Sequence, residues 1–188
     1  YGTFQGNGSF ARGSNYRMQH FQASLLISQF DKLVKETEHR QANADYLSAG
    51  LAEIPGITPV RLPENSRAVW HLYAFRYDSK QFHGLSRNKF MKALGAEGIP
   101  CSGGYHTQYF DGLLDEAIAS RGFQRLFPAE RLKTYKDSLH ELKGNEQVCN
   151  TTVGMFQNLL LADRSAMDHI LAAISKIQAN SAALAQAS

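Results

Sequence analysis

The sequence predicts an α+β fold: a long helix near the start, then a small sheet with helices packed on one face. Three observations predict it. Met18, Phe21, Leu25, Leu26, Phe30, Leu33 and Val34 recur at three- and four-residue spacing, the period of one helix face. In AVWHLYAFRYD (68–78), Val69, His71, Tyr73, Phe75 and Tyr77 alternate with Trp70, Leu72, Ala74 and Arg76, the period of a strand. Downstream, helical and strand-like stretches alternate, in the order helix, short strand, helices, strand, helix.

Residues 1–16 read as an irregular glycine-rich segment, with Gly2, Gly6, Gly8 and Gly13 among Tyr1, Phe4 and Phe10. So many aromatics suit a packed loop better than a free tail, and they suggest a chain whose upstream part is absent. A linking helix spans 17–54. Its stripe resumes at Leu47, Leu51 and Ile54, and Pro55-Gly56 stops it. Such a helix is about 55 Å long, which suits a strut between domains or along a subunit interface. The small domain is read as 55–178. Within it the central strand covers 68–78. Ser86 caps a helix over 87–97 that buries Phe90, Met91 and Leu94 and ends at Gly98. A short strand is expected over 99–102, a helix over 109–120, a helix near 145–152 and a strand near 154–161, with 121–145 mixed and polar. Ser165-Ala166-Met167-Asp168 matches a capping box that opens the last helix. The Ala-rich tail, 179–188, is expected to fray.

The totals narrow the function classes. Apolar residues make up 43% of the 188, normal for a globular protein. The net charge of +3 demands neither a nucleic acid nor a membrane as partner. No apolar run approaches the roughly 20 residues of a membrane span. With no targeting signal apparent, a cytoplasmic location is expected. Cys101 and Cys149 are far apart, with no neighbouring Cys or His at ligand spacing, so no metal site is expected.

Two places carry possible chemistry. Asn15 and Arg17 stand at a helix start, where free N–H groups and the macrodipole favour an anion. An amide donor with a guanidinium there makes a phosphate or carboxylate clamp. The simpler alternative, favoured on the residues alone, is that Asn15 caps the helix and Arg17 is solvated. Tyr105-His106 follows the paired glycines of SGGYHTQY; such a loop can bind a polyol or supply an acid and base, and equally can be an ordinary turn. Within the strand, His71 either satisfies a buried carbonyl or faces a ligand. No Ser-His-Asp spacing and no phosphate loop is present.

Taken together, GSNYRMQHFQASLLISQF, AVWHLYAFRYD and KALGAEGIPCSGGYH resemble the C-terminal part of the DegT/DnrJ/StrS family, the fold-type-I pyridoxal-phosphate (PLP) sugar and cyclitol aminotransferases. The similarity runs in order over nearly all of residues 10–178. It implies the small C-terminal domain of such an enzyme, with the large α/β domain missing. It implies a homodimer whose active site lies at the interface. Asn15, Tyr16 and Arg17 would reach the partner subunit's PLP, with Asn15 on the phosphate. Tyr105, His106 and His71 would face the substrate, a keto sugar or ketocyclitol, with glutamate or glutamine as amino donor. The family's Schiff-base Lys lies upstream of the Asn15-Tyr16-Arg17-Met18 match, so no catalytic residue is assigned within this chain, which is expected to be inactive alone. Where the family often carries His-Tyr-x-Pro, this chain has Gly104-Tyr105-His106-Thr107. Tyr105 matches and the flanking His and Pro do not, and SGGY looks more like the cyclitol branch. The same resemblance admits a PLP-dependent sugar dehydratase, and the residues alone also allow a non-catalytic dimerisation or binding module.

Overall fold

The structure, a computed structural model, describes residues 17–110 and 112–186. It divides into two units, Tyr1–Glu38 and His39–Ser188. In the first, the described residues are a short lead and the opening turns of α1 (His20–Ala52). The stripe that predicts this helix lies on the surface of its unit: Met18, Phe21, Leu25, Leu26, Phe30, Leu33 and Val34 are between 48% and 73% exposed. In the second unit the same period turns inward, and Ala44, Leu47 and Leu51 are fully buried.

The second unit is built on a three-stranded antiparallel sheet in the order β1 (Ile57–Pro59), β2 (Leu72–Tyr77), β3 (Thr152–Phe156). Ile57 lies opposite Tyr77, Phe75 opposite Val153 and Tyr73 opposite Met155. The alternation of β2 sends Tyr73, Phe75 and Tyr77 into the core and leaves Arg76 exposed. The strand is shorter than the expected 68–78. After Phe156 the chain winds into a 3-10 turn, Gln157–Leu161, so β3 offers no partner opposite 68–71. For the same reason the expected strand over 154–161 is half strand, half turn. β1 escapes sequence reading because it is three residues long and includes a proline, which cannot donate to a ladder.

Two helices close the core over these residues. α2 (Arg87–Ala96) starts where Ser86 Oγ accepts a hydrogen bond from Lys89 N, and it stacks Phe90 on Tyr77 with ring centroids 4.5 Å apart. α7 (Arg164–Ala179) adds Met167, Ile170, Ala173, Ile174 and Ile177. Its N-cap position is Asp163, so the capping box expected at Ser165 is not used; Ser165 lies inside the first turn. Buried Asn43 ties α1 to the turn before α7, its amide donating to Leu160 O (3.0 Å) and Ala162 O (2.9 Å). Ala162 O is also 3.1 Å from His39 Nε2, so two α1 side chains converge on this turn.

Between α2 and β3 the expected strand over 99–102 reduces to one bridge, Ser102 to Gly154. The expected helix over 109–120 is a 3-10 turn, Gln108–Phe110, followed by α3 (Leu113–Ala119). Residues 121–145 hold more helix than their composition suggests: α4 (Arg121–Leu126), α5 (Ala129–Ser138) and the start of α6 (Lys143–Thr151). Of α3 to α6, only Leu132 is buried, so no apolar stripe marks these helices. The tail expected to fray from Ala179 instead continues as α8 (Ser181–Gln186). Ser181 is fully buried, its Oγ 2.8 Å from His83 Nδ1 and donating to Gln178 O. With that single proton committed, the Nδ1–H of His83 is the donor to Ser181.

Candidate functional site

The site centres on a cavity of about 300 Å³ in the second unit, lined by Arg87, Gly103, Gly104, Tyr105, His106, Thr107, Cys149 and Asn150. Three segments meet there: the first turn of α2, the loop that follows the Ser102–Gly154 bridge, and the last turn of α6. The bridge fixes the loop base with two backbone bonds of 2.8 Å, Ser102 N to Gly154 O and Gly154 N to Ser102 O. Gly104 then takes φ +70, a left-handed conformation costly for other residues, with Thr152 Cγ2 3.3 Å from where a Cβ would sit. The chain leaves this turn outward, and Tyr105 is 65% exposed.

Arg87 organises the floor. Its Nη1 donates to Cys149 O at 2.7 Å, Thr152 O at 3.0 Å and, more weakly, Gly103 O at 3.3 Å. Cys149 O lies in the last turn of α6, where carbonyls lack helical partners and the macrodipole favours a cation. The other lining side chains are neutral donors and acceptors apart from His106. No carboxylate and no lysine faces the cavity. Such a lining suits a polyhydroxylated ligand with a carbonyl to be held, and His106 can hold or move a proton at its edge.

The sequence-predicted residues fall in different places. Tyr105 and His106 stand together on the cavity wall. His71 does not join them: it is exposed at a bend just ahead of β2 and is absent from the lining. Beside it, Trp70 packs against Tyr73 with ring centroids 5.2 Å apart, so the aromatic half of WHLY serves the core edge. Arg17 is exposed three residues before α1, whose first turn carries no acidic side chain. Asn15 and Tyr16 lie outside the described residues. Arg87, Cys149 and Asn150 were missed by sequence reading. One signal for Arg87 was available: a cation at the first position of a helix opposes the macrodipole, and needs another reason to be there. Among the described residues no cluster of three or more His, Cys, Asp or Glu could hold a metal ion, and no helix is long and apolar enough to cross a membrane.

A profile of the DegT/DnrJ/EryC1/StrS aminotransferase family matches residues 3–118. The chain belongs to this family. The chain is 28% identical over 188 aligned residues to a putative L-glutamine:3-amino-2,3-dideoxy-scyllo-inosose aminotransferase of Streptoalloteichus tenebrarius, covering 98% of this chain and 44% of that protein. It is 31% identical over 169 residues to the L-glutamine:2-deoxy-scyllo-inosose aminotransferase of the same organism, covering 88% of this chain and 38% of that one. The chain thus spans less than half the length of these curated relatives. Among solved structures, 3-amino-5-hydroxybenzoic acid synthase superposes with a TM-score of 0.63 at 18% identity, over 94% of this chain and 43% of that one. A DegT/DnrJ/EryC1/StrS aminotransferase from Brucella abortus superposes with a TM-score of 0.58 at 19% identity, over 93% and 40%. Both likenesses concern the fold: a small antiparallel sheet flanked by helices, as expected for part of an enzyme of this family.

Proposed function

We propose that this chain supplies the small domain and interface segment of a PLP-dependent aminotransferase that moves an amino group from glutamine or glutamate to a keto sugar or ketocyclitol. The observation that carries the reading is the match along 98% of the chain to a relative whose name pairs L-glutamine with a scyllo-inosose ketone. The cavity agrees with it, since its neutral hydrogen-bonding wall suits a ring of hydroxyls.

The residues present fit the cofactor's anionic end. Arg17 is exposed beside a helix start free of acidic side chains, an environment that favours a phosphate. In this reading Asn15 contacts that phosphate in the partner subunit of a homodimer, with Arg17 and Tyr16 lining the cofactor and substrate pocket beside it. PLP, when bound, supplies the electron sink that amino transfer needs. Tyr105 orients the acceptor through its hydroxyl. His106 stands at the cavity edge to accept or return a proton from an acceptor hydroxyl. Gly103 and Gly104 let the backbone approach the ring closely. The lysine that carries the cofactor is not among the cavity residues, and we assign it to the remainder of the protein. On this reading the 188 residues alone do not catalyse transamination.

The test uses the full-length protein. Incubated with PLP, L-glutamine and 2-deoxy-scyllo-inosose, it should yield the aminated cyclitol by mass spectrometry, and the 188-residue chain should yield none. Absence of an aminated product from any ketocyclitol or keto sugar, with no cofactor bound, would end the reading.

A further inference from the structure

We propose that Arg87 is a positioning residue for the acceptor-facing loop: from the cavity floor it sets where Tyr105 and His106 stand. The inference rests on the reading that this loop faces the acceptor. Its own support is geometric. The single amino group Nη1 reaches three carbonyls in two stretches far apart in sequence, Gly103 in the loop and Cys149 and Thr152 at the junction of α6 and β3. The guanidinium therefore joins the loop to the end of α6 and the start of β3, through groups that otherwise lack helical or ladder partners.

Gly103 completes the joint. A Cβ at this position would lie 3.2 Å from Arg87 Nη2, 3.3 Å from Cζ and 3.4 Å from Nη1, closer than ordinary packing allows. The loop backbone thus lies close against the guanidinium, and a Cβ here would make the Arg87 head group shift by a few tenths of an ångström. Two residues on, Tyr105 emerges from the left-handed turn at Gly104. From the Ser102 bridge to Tyr105 the path is determined by three contacts in succession: Ser102 with Gly154, Gly103 with Arg87, and Gly104 with Thr152. The middle one is the only one of the three made by a charged side chain. A lysine would keep the charge and lose the flat face and the fork.

Three variants of the full-length enzyme test this: Arg87→Gln, Gly103→Ala and, as a control on the loop itself, Tyr105→Phe. Displacing a substrate-positioning group by an ångström weakens productive engagement of the substrate by about ten- to a hundredfold. Arg87→Gln and Gly103→Ala should each raise KM for the keto acceptor on that scale. The half-reaction with glutamine, followed by cofactor absorbance, should stay within about twofold, on the same reading that this loop faces the acceptor. Hydrogen exchange of the peptide spanning 103–107 should quicken in both, a readout independent of activity. The proposal falls if acceptor KM and loop exchange both stay unchanged in Arg87→Gln, or if both half-reactions decline together, as a general folding defect would produce. Should Arg87→Gln fail to fold, Gly103→Ala decides by the same two readouts. If Tyr105→Phe also leaves acceptor KM unchanged, the acceptor-facing reading fails and takes the proposal with it. If only Tyr105→Phe raises it, the loop reading stands and the positioning role is wrong.

Discussion

At the scale of single residues, two tyrosines are buried in an otherwise apolar core. Tyr73 is 1% exposed and its hydroxyl meets Ser48 Oγ at 2.8 Å; Tyr77 is 3% exposed and donates to Leu85 O at 2.7 Å. Burial pushes the Tyr73 phenol up to about 12 from the ordinary 10.0, Asp45 adds to the rise, and the Ser48 bond opposes it. Burial likewise raises Tyr77 and the Cys101 thiol. A folded value above the unfolded one means the protonated form favours folding. That contribution is intact below the unfolded pKa and is lost as pH climbs through the folded one. For Tyr73 the loss therefore runs from pH about 10 to about 12 and totals about 3 kcal/mol. Denaturant melts across this range should show a falling midpoint in the parent protein and a shallower fall in Tyr73→Phe. That variant should also lose about 1 kcal/mol at every pH through the missing Ser48 bond. Equal alkaline slopes in the two proteins would show that Tyr73 does not titrate as its burial implies.

At the scale of elements, α1 combines two environments on one period. Its later turns bury Ala44, Leu47 and Leu51, while its earlier turns expose Phe21, Leu25, Leu26, Phe30, Leu33 and Val34, and Met18 just ahead of it is exposed too. A contiguous apolar face of this kind marks an interaction surface. Expressed as 188 residues, the chain should self-associate in sedimentation velocity with clear concentration dependence. Leu25→Glu with Phe30→Glu should shift it toward monomer without lowering the melting midpoint, because neither side chain belongs to the core. A parent chain that stays monomeric throughout would show that the face is not adhesive. The helix itself was legible because seven apolar residues keep one period; whether they are covered was not, since that depends on what packs there. The inward face of β2 was legible for the same reason, in Tyr73, Phe75 and Tyr77. Its length was not, because strand ends are set by the partner, and β3 turns away after Phe156. α3 to α6 stayed hidden because only Leu132 among them is buried, and the α8 tail because its anchor is a serine, Ser181, held by His83. The candidate site was half legible. Tyr105 and His106 follow a visible glycine pair, whereas Arg87 acts through carbonyls 16, 62 and 65 residues away in the chain. No local pattern reports such a contact.

At the scale of the whole molecule, stability and interaction are separated along the chain. Every described core residue lies from Ala44 onward, and the second unit begins at His39. The cavity residues, Arg87 to Asn150, belong to the same unit. If the core alone maintains this unit, the residues ahead of it contribute recognition and not folding energy. Deleting residues 1–34 tests this, because it keeps the turn of α1 that precedes His39 and Asn43, whose bonds to Leu160 O and Ala162 O secure the helix. For a domain of this size about 1 kcal/mol moves the melting temperature by roughly 2–4 °C. The shortened chain should melt cooperatively within about that interval of the parent. It should also lose the concentration-dependent self-association predicted for α1, since the exposed face goes with the deleted segment. Asn43→Ala in the shortened chain should lower its melting temperature by the loss of about 1–3 kcal/mol, because Leu160 O loses the Asn43 amide and Ala162 O is left with His39 Nε2. A truncated chain that is unfolded by circular dichroism would mean that the first 34 residues complete the core after all. In that case the long helix would be a structural member of this domain before it is an interface for any other.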